Sequence, residues 1–201
     1  MYIPKHFEMS DKRTIIDFIA RNRFGILVST KNGALEATHL PLLYDERSDR
    51  LFGHFAKANE QWKGLHGAEV LVIFQGPHAY ISPTWYGEKH AVPTWNYVAV
   101  HIYGQIGIIE DREKIRDILD RSVDKIEASM PHPWKVDWSD EFYWKLADGV
   151  VGFEVKPFRM EGKWKLNQNH SIERRKKVID GLRAQGDPMS ASVADWMEQH
   201  I

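Results

Sequence analysis

Apolar positions along this chain change period several times, and the changes divide it into elements. Between Ser10 and Asn22, the residues Ile15, Ile16, Phe18 and Ile19 share one helical face, with Ser10 placed to cap its start. The period then shortens to that of strands. Phe24 to Thr30 reads as one strand, Asn32-Gly33 as a hairpin turn, and Leu35 to Tyr44 as the return. Pro41 lacks a backbone donor, which assigns that second strand to a sheet edge or to a bulge. After the polar turn Asp45 to Asp49, a third strand covers Leu51 to Phe55. Asn59 then caps a short helix ending near Gly67, and Val70 to Phe74 reads as a buried strand.

The stretch Gly76 to Pro93 mixes Gly, Pro and aromatics and predicts an ordered loop or hairpin. From Thr94 to Glu110 the residues alternate, with Val98, Val100 and Ile102 on one face and Tyr97, His101 and Tyr103 on the other. Gly104 and Gly107 would let this long strand bend. Asp111 starts an amphipathic helix bearing Ile115, Ile118, Leu119 and Ile126, which ends before Met130-Pro131-His132-Pro133. Ser139 to Ala147 is a short aromatic helix closed by Gly149, Val150 to Pro157 is a strand, and Ser171 to Ala184 and Pro188 to Gln199 are helices. No repeat or composition break divides the chain. The expectation is a single domain over 1–201 with a helical tail from about residue 170, in a mainly β fold with peripheral helices (α+β). Gly-rich corners favour a small barrel over a doubly wound sheet.

Composition narrows the function classes. The 27 basic and 28 acidic residues leave a net charge of −1, so no global basic field draws nucleic acid or an anionic membrane. The absence of cysteine excludes disulfides, thiol nucleophiles and thiolate metal sites. The opening Met1-Tyr2-Ile3-Pro4-Lys5-His6 lacks the pattern of a signal peptide, and Val70 to Phe74 is too short to span a bilayer, so a cytoplasmic protein is expected. No Rossmann or Walker loop and no Gly-x-Ser-x-Gly elbow occurs. The ten His residues show no short metal-binding spacing, so no metal is expected, and no residue is marked out as catalytic.

Four segments carry possible chemistry. Ala37-Thr38-His39-Leu40-Pro41 places two polar side chains in an apolar strand. In Gly53-His54-Phe55-Ala56-Lys57-Ala58-Asn59 a strand runs into a helix start carrying a lysine, a combination suited to a phosphate. Val92-Pro93-Thr94-Trp95-Asn96-Tyr97 sets an indole beside a carboxamide, as a planar heterocycle requires, although such aromatics commonly just fill a core. Glu161-Gly162-Lys163-Trp164-Lys165-Leu166-Asn167-Gln168-Asn169 flanks an indole with two lysines, or simply forms a solvated connection into the tail.

These segments, in this order, together with the opening Met1-Tyr2-Ile3-Pro4-Lys5-His6-Phe7, resemble the PaiB-type flavin-mononucleotide-binding transcriptional regulators over nearly the whole chain. The resemblance implies an FMN-binding split β-barrel of the pyridoxamine-phosphate-oxidase type, working as a homodimer with a flavin at each end of the shared interface. By position, His54, Lys57 and Asn59 would face the phosphate, Thr38 and His39 would lie under the ring and ribityl chain, and Trp95 and Asn96 would approach the flavin edge. Lys163 and Lys165 would arrive from the partner subunit. The sequence departs from the pattern in two places: Asn167 stands where Ser is expected, and Asn59-Glu60 replace the Arg-Lys pair used by the oxidase branch.

The same resemblance implies a repressor of sporulation and degradative-enzyme genes. Direct DNA contact would fall to Arg174, Arg175, Lys176 and Lys177, about eight charges in a dimer, which otherwise are the solvated face of a helix. The alternatives are an FMN-dependent oxidoreductase, with His39, His54 and His101 as candidate proton carriers, and a haem-binding protein on the same barrel.

Overall fold

The computed structural model describes all residues 1–201. In chain order the elements are β1 (Glu8–Met9), α1 (Lys12–Arg21), β2 (Phe24–Lys31), β3 (Ala34–Pro41), β4 (Leu43–Asp45), β5 (Arg50–Ala56), β6 (Glu69–Ile81), β7 (Thr94–Ile109), α2 (Arg112–Glu127), α3 (Glu141–Ala147), β8 (Val150–Lys165), α4 (Ile172–Ala184) and α5 (Pro188–Glu198). The eight strands make one sheet, ordered β3-β2-β6-β7-β8-β5-β4, with β1 paired to β8. β3 is thus an edge strand, and Pro41 ends it. No helix is long and apolar enough to cross a membrane.

The chain forms two compact units. The first comprises Met1–Phe18, Gln75–His101 and Glu161–Ile201, and the second Ile19–Phe74 and Ile102–Met160. Strands β6, β7 and β8 run covalently from one into the other.

In the second unit, the β2–β3 hairpin turns at Asn32 and Gly33, both with positive φ. Its register places Leu27 opposite Thr38 and Ile26 opposite His39. β5 pairs antiparallel with β8, bringing His54 opposite Gly152. The interior holds Leu27, Leu51, Phe55, Val72, Phe74, Phe153 and Val155, all fully buried by strand alternation. Asp111 caps α2 by accepting from the Lys114 N–H at 2.9 Å, as the sequence leads one to expect.

In the first unit, α4 packs with α5 through Val178, Leu182, Val193, Ala194 and Met197. Ser171 caps α4 through the Arg174 N–H. Gly181 sits against the Trp85 ring, where an added Cβ would come within 2.4 Å of Cδ2.

Several element boundaries differ from the sequence reading. Asp11, not Ser10, accepts from the Thr14 N–H at 2.8 Å and caps α1. Of the two readings of Gly76 to Pro93, loop or hairpin, the hairpin holds: β6 runs to Ile81 and its neighbour β7 starts at Thr94, because Ala79 and Ile81 turn inward with period two despite Gly76 and Pro77. β8 continues past Pro157 to Lys165, through polar residues for which a solvated connection is one of two readings, and Gly162 and Lys163 there pair with β1. The helix expected from Asn59 to Gly67 is only a single 3-10 turn, Glu60–Trp62.

Candidate functional site

The second unit carries five of the residues singled out. On β3, Thr38 is half-buried while His39 is exposed, its ring 6.2 Å from that of Phe24 across the hairpin. On β5, His54 is half-buried, and burial lowers its pKa below the usual histidine value. β5 then releases Lys57, whose backbone N–H donates to the Gly149 carbonyl at 2.8 Å. The Lys57 ammonium is exposed and reaches only the Asp148 carbonyl oxygen, at the long distance of 3.4 Å. Arg112 is close in the fold but already committed, donating to both Asp148 carboxylate oxygens at 3.0 and 3.1 Å. These groups and Glu110 line a cavity of about 80 Å³, room for small ions or water but not for a heterocycle.

The phosphate reading of this segment shifts accordingly. Asn59 accepts from the Gln61 N–H at 2.9 Å and so occupies the free backbone donor that a helix start was expected to offer. Lys57, rather than a helix terminus, is the available positive group. Asn59 also donates through Nδ2 to Thr38 Oγ1 at 2.9 Å, and Thr38 Oγ1 donates to Gln61 Oε1. Thr38 and Asn59 are therefore brought together, through Gln61. Gln61 escaped the sequence reading, since nothing in Asn59-Glu60-Gln61-Trp62 separates it from an ordinary polar surface run.

The remaining candidates belong to the first unit. Trp95 is 53% exposed and Asn96 fully buried, because neighbours on a strand face opposite sides. Asn96 donates to the Met197 sulfur at 3.3 Å. The indole and the carboxamide, read from the sequence as serving one heterocycle side by side, are thus separated by the sheet. Trp95 instead joins His78 and Tyr80, each with its ring centroid 6.1 Å away. With Ser82, Trp85, Gln185 and Ser190 they line an open cleft of about 570 Å³, within the range of small-molecule sites. Lys165 donates to the Trp95 carbonyl at 2.9 Å and to Thr94 Oγ1, and burial together with the nearby Lys163 lowers its pKa. Lys163 is 7% exposed, donates to the Tyr2 carbonyl at 3.0 Å and lies over the Tyr2 and Tyr97 rings. Both lysines are held within their own unit.

The tail cluster divides in two. Arg174 pairs with Glu88 and Arg175 is buried, donating to the His200 carbonyl, whereas Lys176 and Lys177 are exposed, with Lys177 paired to Glu173.

Residues 1–157 match the family described as "Putative FMN-binding domain". The chain belongs to this family. It is similar over its full length to the protease synthase and sporulation protein PAI 2 of Bacillus subtilis (strain 168), with 38% identity covering 100% of this chain and 98% of the relative. Its fold is similar to that of the flavocytochrome Anf3 of Azotobacter vinelandii, with a TM-score of 0.65 and 13% identity over 87% of this chain and 78% of that one. A FAD and heme binding protein of Mycobacterium smegmatis also gives a TM-score of 0.65, with 11% identity over 84% and 78%. The flavoprotein is thus PaiB-like, its fold is the mainly β split barrel and its cofactor is FMN. The donor set of the second unit fits that cofactor's tail: an unpaired ammonium at Lys57 suits a phosphate, and the hydroxyl and amide of Thr38 and Asn59 suit an alcohol.

Proposed function

We propose that this flavoprotein is an FMN-binding regulator of gene expression that acts as a homodimer. PAI 2 is named for protease synthesis and sporulation, and likeness over the full length of both chains supports a role in the same kind of process. The observation that carries the reading is Lys57: an exposed ammonium, in no ion pair, at the end of the strand that bears His54. When bound, FMN supplies reversible redox chemistry and a visible absorbance. Around it Lys57 holds the phosphate, and Thr38 and Asn59 orient the chain that links phosphate to ring. Phe24 and Leu35, exposed on the β2–β3 hairpin, favour self-association.

Deleting the gene in its host is expected to raise transcripts for secreted proteases, and restoring it to lower them. Lys57→Gln is expected to restore repression poorly. Unchanged transcripts on deletion contradict the regulatory role.

Direct DNA contact is the narrower form of the proposal. Two chains then offer about four outward-facing cations, Lys176 and Lys177 from each and the latter paired to Glu173, rather than eight, so binding through this face is weaker and its salt dependence shallower. An unchanged gel shift for the Lys176→Gln, Lys177→Gln variant excludes this surface.

An oxidoreductase is the second reading, for which His54, half-buried and with its pKa lowered by burial, is the candidate proton carrier. Turnover of a reduced nicotinamide by the FMN-loaded protein, diminished in His54→Gln, supports it; no turnover with a range of acceptors removes it.

A further inference from the structure

Gln61 is a buried side chain with a partner for each polar atom. It is 3% exposed, and its amide nitrogen shares its two hydrogens among the Leu27 carbonyl at 3.2 Å, the Glu36 carbonyl at 3.2 Å and Ser29 Oγ at 3.0 Å. Two of those three acceptors are backbone carbonyls, which cannot donate. The nitrogen must therefore face them, and Oε1 must face Thr38. An amide turned the other way would set oxygen against oxygen in a buried place, at the cost of an unmade hydrogen bond.

This orientation fixes every proton that follows. Thr38 has one hydroxyl hydrogen, and Gln61 Oε1 takes it. Asn59 presents Oδ1 to the Gln61 N–H, so its nitrogen faces Thr38 and donates to it. Thr38 is left with one lone pair and no hydrogen. Asn59 is left with one amide hydrogen and no free acceptor on that side. Both residues are half-buried, hence reachable from outside. The pair offers an acceptor beside a donor, which matches an alcohol, since a hydroxyl donates to the one and accepts from the other. It mismatches a phosphate dianion, which has no hydrogen to give and would meet the Thr38 lone pair with its own.

We propose that Gln61, as a positioning residue, sets Thr38 and Asn59 to recognise a hydroxyl of the ribityl chain rather than the phosphate. This rests on the FMN reading above and changes the part assigned to Asn59, which the family resemblance puts at the phosphate.

Three probes separate the contacts: FMN, riboflavin, which lacks the phosphate, and lumiflavin, which lacks the ribityl chain. Each is titrated by flavin fluorescence. Thr38→Val is expected to weaken FMN and riboflavin by the same factor, about three- to tenfold for a lost neutral hydrogen bond, and to leave lumiflavin unchanged. Thr38→Ser restores both. Asn59→Asp keeps a good cap, so it remains folded, and converts the donor into an acceptor; it should weaken riboflavin as well as FMN, the latter more because the new carboxylate repels the phosphate. Gln61→Met should act in the same direction, with unfolding midpoints reporting how much of the effect is structural. A loss confined to FMN in Thr38→Val or Asn59→Asp places the pair at the phosphate, and an equal loss for lumiflavin places it at the ring; either overturns the proposal. If the unaltered protein binds none of the three, the flavin reading itself falls, and this proposal with it.

Discussion

The Arg174 guanidinium lies over the Tyr86 ring, its central carbon 3.9 Å from the centroid, while Nη1 donates to Glu88 at 3.1 Å. Tyr86 is buried, so this cation closes over core. As a string of letters, residues 174–177 are four adjacent cations; wound into α4, two of them turn inward and two outward.

Arg174→Ala is therefore expected to lower stability by about 1–2 kcal/mol through lost ring contact and packing of the stem. Lys176→Ala should stay within about 0.5 kcal/mol. Urea unfolding of the two variants checks this, and equal midpoints would show that the Arg174 contact contributes nothing.

Asn167 explains one departure from the family pattern. Its φ is +64°, a left-handed conformation in which Asn is among the few tolerated side chains, and its Nδ2 donates to the Tyr86 hydroxyl at 3.2 Å in a buried place. Asn167→Ala should cost about 2–3 kcal/mol, from backbone strain plus an unpaired tyrosine hydroxyl. Asn167→Gly keeps the backbone at ease and should cost less. A reversed order of melting temperatures contradicts this assignment.

Much of the fold was legible because period and turn chemistry agree. Asn32-Gly33 marks its hairpin, and Asp111 and Ser171 cap the helices they precede. The failures have physical causes. Gly76 and Pro77 signal a break by local propensity, yet strand β6 runs through them because Ala79 and Ile81 still bury with period two. The polar run to Lys165 allows a solvated reading, but pairing with β1 is a contact between residues more than 150 positions apart, which no local window contains. Of the candidate site, residue types such as Lys57 and Trp95 were visible. The group that links Thr38 to Asn59 was not: Gln61 acquires its role only when β2, β3 and the 3-10 turn meet.

Gly104 and Gly107, read alike as places where β7 bends, differ in what surrounds them. A Cβ on Gly104 would lie 2.5 Å from Val155 Cγ1 and 2.7 Å from the Lys156 carbonyl oxygen, whereas on Gly107 the nearest atom is Glu154 Cγ at 3.4 Å. Gly104→Ala should destabilise by about 1–3 kcal/mol and Gly107→Ala by under about 0.5. Thermal unfolding of the pair checks it.

Burial lowers the pKa of His54, His101 and His170, the last with help from Arg174. The unfolded chain then takes up protons first, near the usual value of about 6.5. The stability these groups contribute is full above that pH and is lost as pH falls through their lower folded values. The urea midpoint should thus decline from pH 7.5 to 5, and His54→Gln should make the decline shallower. A midpoint that rises on acidification contradicts the sign.

The most direct measurement is an absorbance titration of the purified protein with FMN and with riboflavin, for the unaltered chain and for Lys57→Gln. A lone ammonium meeting a phosphate is expected to make FMN bind about tenfold or more tightly than riboflavin, and Lys57→Gln is expected to remove that preference while leaving riboflavin affinity as it was. Equal affinity for the two flavins in the unaltered protein, or a preference that survives loss of the lysine, contradicts the assignment of Lys57 to the cofactor.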